Sequence, residues 1–137
     1  MEASQRSEAK AFVLHIYGAY HGAGPEYLGR DATNVFSSRM LALLERDRAL
    51  TPEGYVGALD GDPICDCQDF DISRVEATVR QIGPGRAMAT VRFVNTGTPE
   101  TVRLDLVLVR ARWRIDNIHN RSTPNLAVFL QEHAGGR

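Results

Sequence analysis

The sequence predicts an α+β fold in which helices cover one face of an antiparallel β-sheet. Apolar residues recur at helical spacing near both ends of the chain, which predicts amphipathic helices there. Between about residues 74 and 116, apolar and polar residues instead alternate with a period of two, which predicts strands. The connections between these strands are short, so we expect an antiparallel meander of about four strands.

Two long helices are expected before the sheet and one after it. The first is expected from about Ser7 to Tyr20, with an apolar stripe that consists of Ala9, Phe12, Val13, Ile16, Tyr17 and Tyr20. The second is expected from about Ser37 to Ala49, with Ser37 or Ser38 as its N-cap. The last is expected to begin at Ser122-Thr123-Pro124.

The alternation also predicts which face of the sheet is buried. The apolar positions are Val75, Ala77, Val79, Ala89, Val91, Phe93, Val102, Leu104, Leu106, Leu108, Trp113 and Ile115. The last strand places Asn117 on this side and Ile118 on the other. Proline and glycine in Gly83-Pro84-Gly85-Arg86 predict a type II turn, and a tight bend is expected near Ala111.

Length and charge limit the classes of function. The 137 residues form one domain, 1–137, with a net charge of −1, so no overall field attracts nucleic acid or a membrane surface. No apolar run approaches the roughly 20 residues of a membrane span. The N-terminus lacks the basic and apolar regions of a signal peptide, so the chain as written is expected in the cytoplasm, unless a signal has been removed.

Residues 60–71, called the cysteine loop below, contain both cysteines and five aspartates. In an extended chain Cys65 and Cys67 point the same way, and only a turn would bring them close enough to bond. The entropy of a three-residue ring gives such a bond about 1.6 kcal/mol at most. We therefore expect reduced thiols that anchor the loop, with a disulfide and a redox-responsive or metal-responsive loop as the alternatives. The spacing matches neither a zinc knuckle nor a calcium-binding loop, so no metal or other cofactor is expected.

The segment Asp62-Pro63-Ile64-Cys65-Asp66-Cys67-Gln68-Asp69 closely resembles the Asp-Pro-x-Cys-x-Cys-Gln-Asp signature of a bacterial family, domain of unknown function 3828. That family belongs with the nuclear transport factor 2-like (cystatin-like) folds, and Trp113-Arg114-Ile115-Asp116-Asn117-Ile118 is similar to their last strands. The resemblance covers roughly Ala9 to Leu130. It implies a sheet wrapped into a cone around a long helix, and a periplasmic or envelope location. The signature itself implies no assigned chemistry.

Enzymes of this fold place acids, bases or tyrosines inside the cone, but the apolar face predicted here carries no titratable residue. We therefore expect a non-catalytic binding protein that binds a protein partner or a small apolar ligand in the cone. Immunity proteins also use this fold, which suggests a role against a secreted toxin enzyme. The alternative is an enzyme that acts on a small hydrophobic molecule, with His15, Tyr17, Tyr20 or Asp69 as the acid–base group.

Two sets of residues are expected to bind. The first is in the cysteine loop and consists of Asp62, Cys65, Asp66, Cys67, Gln68 and Asp69. The second is on the charged sheet face and consists of Arg92, Arg103, Arg114 and Asp116. Arginine is enriched where proteins meet, so this face is also a candidate homodimer surface.

Overall fold

The computed structural model describes residues 2–136, with the backbone alone for residues 2 and 3. It has three α-helices, a short 3-10 helix and one four-stranded sheet, which confirms the α+β class. The helices are α1 (Glu2–Gly18), α2 (Ser38–Leu50) and α3 (Leu126–His133), and the 3-10 helix is Ala32–Asn34. The strands are β1 (Ile72–Gly83), β2 (Arg86–Asn95), β3 (Thr98–Val109) and β4 (Arg112–His119).

The sheet is an antiparallel meander in the order β1-β2-β3-β4, as the short connections predict. Its apolar face packs against α1, which contacts β1, β2 and β4. Most of the predicted apolar positions are buried, while Val75, Val79 and Leu108 are half-buried at the margins. The main core of the protein therefore lies between this face, called the inner face below, and α1.

Helix α1 buries the predicted stripe but begins earlier than expected. Ala9, Val13, Ile16 and Tyr17 are almost completely buried. The helix also includes residues before Ala9. In this part the Gln81 side-chain amide donates to Gln5 Oε1 at 2.7 Å. This contact holds the first turns of α1 against the end of β1.

Helix α2 begins as predicted, with Ser37 as its N-cap. The Ser37 hydroxyl accepts the Met40 N–H at 3.2 Å and itself donates to Asp116 Oδ1 at 2.8 Å. Just before the helix, the chain pairs in parallel with the outer edge of β4, where the Ile115 N–H donates to the Val35 carbonyl at 2.6 Å. This isolated bridge covers the free edge of β4 at Ile115 and fixes the start of α2.

Strand β4 contains an irregularity that reverses which face of the sheet its last residues occupy. Asp105 pairs with Asn117 and Leu106 pairs with Ile115, so Asp116 is an extra residue in the ladder. Beyond it the alternation is inverted, and Ile118 is buried on the inner face while Asn117 lies on the side of Asp105. The prediction that Asn117 faces inward and Ile118 outward was therefore wrong.

The closing helix begins later than its sequence signal predicts. Asn125, not the Ser122-Thr123-Pro124 step, is the N-cap, and its side-chain oxygen accepts the Val128 N–H at 3.1 Å. The preceding residues form a turn in which the Thr123 N–H donates to Asn120 Oδ1 at 2.6 Å. A buried asparagine therefore uses the residues that would otherwise have started the helix.

The β1–β2 and β3–β4 turns lie at the same end of the sheet, where the Leu108 N–H donates to the Gly85 carbonyl at 2.8 Å. At Gly85 the backbone has a φ of 63°, as the predicted type II turn requires. The β3–β4 turn consists of Arg110 and Ala111, which have φ values of 52° and 65° although neither is glycine. This end of the sheet carries arginines, whereas the aspartates of the cysteine loop lie at the other end, beside the start of β1. Among the described helices, none is long and apolar enough to cross a membrane.

Candidate functional site

The two cysteines form a disulfide, so the expectation of reduced thiols was wrong. Cys65 and Cys67 are bonded, and their α-carbons are 5.2 Å apart. Asp66 between them has a φ of 52°, which places it in the left-handed region and turns the chain back on itself. The backbone groups of Asp62 and Cys67 also bond to each other in both directions, at 2.9 and 3.2 Å. The loop is therefore a tight turn closed by both a covalent bond and a backbone pair.

Asp62 is the polar centre of this turn. Its Oδ2 accepts the Tyr20 hydroxyl at 2.6 Å, and its Oδ1 accepts the Ile64 N–H at 2.8 Å. Burial raises the pKa of the Asp62 carboxyl above its ordinary value, while the two hydrogen bonds oppose that rise. Burial beside Asp62 also raises the pKa of the Tyr20 hydroxyl, so tyrosine remains the proton donor of the pair.

The rest of the turn is anchored in the core. The Tyr17 hydroxyl donates to the Ile64 carbonyl at 2.5 Å, and the Asn120 amide donates to the Pro63 carbonyl at 3.0 Å. Ile64 and Cys65 are almost fully buried. Tyr17 of α1, Tyr20 just after α1 and Asn120 after β4 thus hold the loop from both sides, so the loop closes this end of the core.

The remaining predicted loop residues lie towards solvent. Asp66 Oδ2 accepts the Ser122 N–H at 3.3 Å, and the Gln68 amide donates to the Asp60 carbonyl at 2.8 Å. Asp69 is exposed, and its carbonyl accepts the Asn95 amide at 3.2 Å. The loop and residues 120–123 surround a cleft of about 220 Å³. Within residues 2–136, no cluster of three or more histidines, cysteines or acids could hold a metal ion.

The second predicted set, on the sheet, is not brought together with the loop. Arg92 and Arg103 are exposed on the face opposite the core, where Arg103 Nε lies 3.9 Å from Asp105 Oδ1. Asp116 is held by Ser37 and by Arg39, whose guanidinium reaches Asp116 Oδ2 at 3.3 Å. Through these contacts Asp116 links β4 to the start of α2. Arg114 lies towards the β3–β4 turn, at the end of the sheet that is farther from the cysteine loop.

The residues named as alternative acid–base groups do not converge on one pocket. Tyr17 and Tyr20 use their hydroxyl groups to hold the loop, and Asp69 is exposed at its far side. His15 is exposed on the side of α1, where it lines the groove described next. The inner face itself is packed against α1 and leaves no ligand-sized space among the described cavities.

The largest of these cavities is a groove that the sequence did not predict. It has a volume of about 750 Å³ and lies between the C-terminal half of α1, residues 21–35 and the first residues of β4. Its apolar lining includes Phe12, Ile16, Ala19 and Val35. Phe12 and Ile16 belong to the core stripe of α1; Phe12 is half-buried and Ile16 is 1% exposed, so the groove opens only the margin of that stripe. Sequence periodicity identifies that stripe but cannot show which part of it a loop leaves open.

The charged residues at the groove are mainly arginines. Arg112 and Arg114 enter it from β4, and Arg30 enters it from the opposite loop. Arg30 is neutralised by Asp31 at 3.0 Å and by Glu26 at 3.4 Å. Within the described part of the chain, Arg112 and Arg114 have no carboxylate partner. Partial burial, and then the neighbouring positive charge of Arg112, lower the pKa of the Arg114 guanidinium.

Comparison with known proteins finds a bacterial relative. The Escherichia coli K12 protein called Uncharacterized protein YqhG is 36% identical to this chain over 112 residues. The match covers 77% of this chain but only 36% of the E. coli protein. No family model and no solved structure matches the chain.

Proposed function

We propose that the chain is a non-catalytic binding protein that holds a small molecule with an apolar body in the groove beside α1. The observation that carries this proposal is the groove itself, whose volume of about 750 Å³ falls within the range of roughly 300–1,000 Å³ typical of ligand pockets. Its floor combines aliphatic and aromatic side chains, and charged groups lie on two sides of it, Arg30 and Asp31 on the loop and Arg112 and Arg114 on β4. We place the ligand in this groove and not inside the cone, because α1 packs against the inner face of the sheet.

The state of the buried polar groups supports a role without catalysis. An acid or base must reach a substrate proton, directly or through one water. Asp62 is the buried carboxyl with a raised pKa, yet each of its oxygens already accepts a hydrogen bond from the protein. The hydroxyl groups of Tyr17 and Tyr20 are used in the same anchoring. These groups stabilise the cysteine loop, which is the simplest account of their burial.

We also infer membership of the nuclear transport factor 2-like group and of the domain of unknown function 3828 family within it. The cysteine signature and the order of helices, four-stranded sheet and closing helix support this inference. The disulfide supports an exported location, periplasmic in a bacterium, because such bonds persist in oxidising compartments. The similarity to an E. coli protein agrees with a bacterial source.

Filling the groove tests the proposed function. Ala19 lines it, whereas Ala11 is exposed on α1 and does not, so Ala19→Phe and Ala11→Phe form a matched pair. Binding of 1-decanol and of decanoate is measured by isothermal titration calorimetry. We expect at least one of them to bind the wild type and Ala11→Phe equally, and Ala19→Phe about tenfold more weakly, because the added ring occupies the apolar floor. Failure of both probes to bind would refute the proposal.

A protein partner is the second candidate, and the exposed arginines on the outer face of the sheet favour it. Arg92 and Arg103 occupy neighbouring strands and are free of helix packing. The partner is either a second copy of this chain or, by analogy of fold alone, a secreted toxin enzyme that the chain inhibits. Sedimentation equilibrium of the wild type, Arg92→Glu/Arg103→Glu and the control Arg6→Glu tests the homodimer. A concentration-dependent dimer that only the double variant loses would support it, and a monomer at all concentrations would exclude it.

The inhibitor version is tested separately with purified toxin enzymes. It requires tight binding to one of them that the double reversal at Arg92 and Arg103 abolishes. Binding that survives this reversal as well as it survives Arg6→Glu would place the contact elsewhere on the protein.

A further inference from the structure

The positive charge at the groove is local and uncompensated. The whole chain has a net charge of −1, yet the groove is lined by Arg30, Arg112 and Arg114 against a single carboxylate, Asp31. Because Arg30 already binds Asp31 and Glu26, the excess charge resides on the two arginines of β4.

The neighbouring surface offers the pair no anion either. On the side away from the groove, Arg112 and Arg114 line a depression of about 230 Å³ together with Ser37 and Ser38. These serines lie at the start of α2, where free backbone N–H groups carry partial positive charge. Asp116 is the nearby acid, and its oxygens are occupied by Ser37 and Arg39.

The spacing of the two arginines suits a single carboxylate. Residues two apart on a strand point to the same side, about 6.6 Å from each other along the chain. Two guanidinium groups that start this far apart converge on one anion, each with several N–H donors in a planar fork. The Arg114 guanidinium uses one N–H on the Trp113 carbonyl at 2.7 Å, which leaves its other donors free and steadies the side chain.

We infer that the groove binds a monocarboxylate with a hydrocarbon body, whose head group is held by Arg112 and Arg114. This inference rests on the proposed function and adds the chemical class of the ligand. The head group neutralises the two like charges, and the hydrocarbon lies against Phe12, Ile16 and Ala19. An inorganic anion would neutralise the arginines but leave the apolar floor exposed to water. A neutral alcohol would cover the apolar floor but leave the arginines without a counter-ion.

The test compares three probes on the full chain by isothermal titration calorimetry: decanoate, 1-decanol and acetate. The variant Arg112→Gln/Arg114→Gln removes the pair, and Arg92→Gln/Arg103→Gln removes the same charge from the outer face of the sheet. We expect decanoate to bind at least about tenfold more tightly than either other probe, because charge-assisted hydrogen bonds are the stronger kind. Decanoate should lose at least about tenfold in affinity on the Arg112/Arg114 variant, whereas 1-decanol should bind it as before.

The single variant Arg112→Gln controls for misfolding of the double variant, because Arg112 is exposed and its replacement should not disturb the fold. It should weaken decanoate binding several-fold with no change in melting temperature. Equal affinity for decanoate and 1-decanol, or decanoate binding that survives both arginine variants of the groove, would overturn the inference and leave the proposed function standing. Acetate binding as tight as decanoate would also overturn it. If neither ten-carbon probe binds, or if Ala19→Phe changes nothing, the proposed function fails together with it.

Discussion

Replacement of Tyr17 by phenylalanine isolates one hydrogen bond between α1 and the cysteine loop. The Tyr17 side chain is 2% exposed, and its hydroxyl donates to the carbonyl of Ile64, which is 0% exposed. Phenylalanine keeps the ring and its contact with Phe93, where the ring centroids are 5.3 Å apart. The variant therefore removes the donor with little change in packing.

The expected cost follows from the acceptor that is left behind. In residues 2–136 the Tyr17 hydroxyl is the hydrogen-bond partner of the Ile64 carbonyl, so the variant leaves a buried acceptor without a donor. Such a group costs about 1–3 kcal/mol. Against a total stability of about 5–15 kcal/mol, this loss is large. It corresponds to a fall in Tm of about 3–6 °C for each kcal/mol in a chain of this size.

The assay is urea unfolding, followed by the fluorescence of Trp113, which is the one tryptophan of the chain. Tyr55→Phe is the control, because Tyr55 is 74% exposed and should lose nothing measurable. A free energy of unfolding for Tyr17→Phe within about 0.5 kcal/mol of the wild type would refute the anchoring role of this hydroxyl group.

Four further changes have expected outcomes. The raised pKa of Asp62 means that the folded state holds its proton more firmly, so this group lowers stability as pH rises from its unfolded pKa of about 3.9 to its folded value. Stability of Asp62→Asn relative to the wild type should therefore increase across that window in urea titrations at several pH values, and a constant difference would contradict the raised pKa. The variant Cys65→Ala/Cys67→Ala should lose about 1.6 kcal/mol by loop entropy, and the wild type should gain two hydrogens in mass on reduction; a wild type already reduced when purified without reductant would contradict the bond. Ala111→Gly should raise stability by about 0.5–1 kcal/mol, because glycine relieves the left-handed backbone at a φ of 65° but adds freedom to the unfolded chain; an unchanged or lower Tm would show that the turn is not strained. Asn117→Leu should cost about 1–3 kcal/mol for each backbone N–H that loses its acceptor, at Ile118 and in the first turn of α3. A variant with the same Tm as the wild type in thermal unfolding would exclude this capping role.

The sequence predicts the elements of this fold because their signals are local. Alternation identifies the inner face of β1 to β3, and the burial of Val91 and Leu104 confirms it. The prediction fails at Asn117 and Ile118, where one extra residue in β4 inverts the phase. The cause is a tertiary contact, since Asp116 turns towards Ser37, which lies 79 residues away in the chain. No periodicity within β4 can contain that information.

The candidate sites divide in the same way. The cysteine loop is conspicuous in the sequence, but its role depends on Tyr17, Tyr20 and Asn120, which approach it from distant parts of the chain. The disulfide was missed because it depends on the left-handed backbone of Asp66, a conformation that sequence alone does not specify. The groove was missed because it is formed by what the residues 21–35 segment leaves uncovered. Arg112 and Arg114 gave the one local signal, two arginines on the same side of a strand that has an acid only at Asp116.

Arg86, Arg110 and Arg112 at one end of the sheet and the five aspartates of the cysteine loop at the other separate charge along the molecule despite its small net charge. Strand β1 has 12 residues, so the two ends are separated by about 40 Å. In dilute buffer such a molecule rotates to present its aspartates to a cationic surface and its arginines to an anionic one. It should therefore be retained by both kinds of ion-exchange resin near its isoelectric point. At physiological salt the Debye length is about 8 Å, so each end then acts as an independent charged surface.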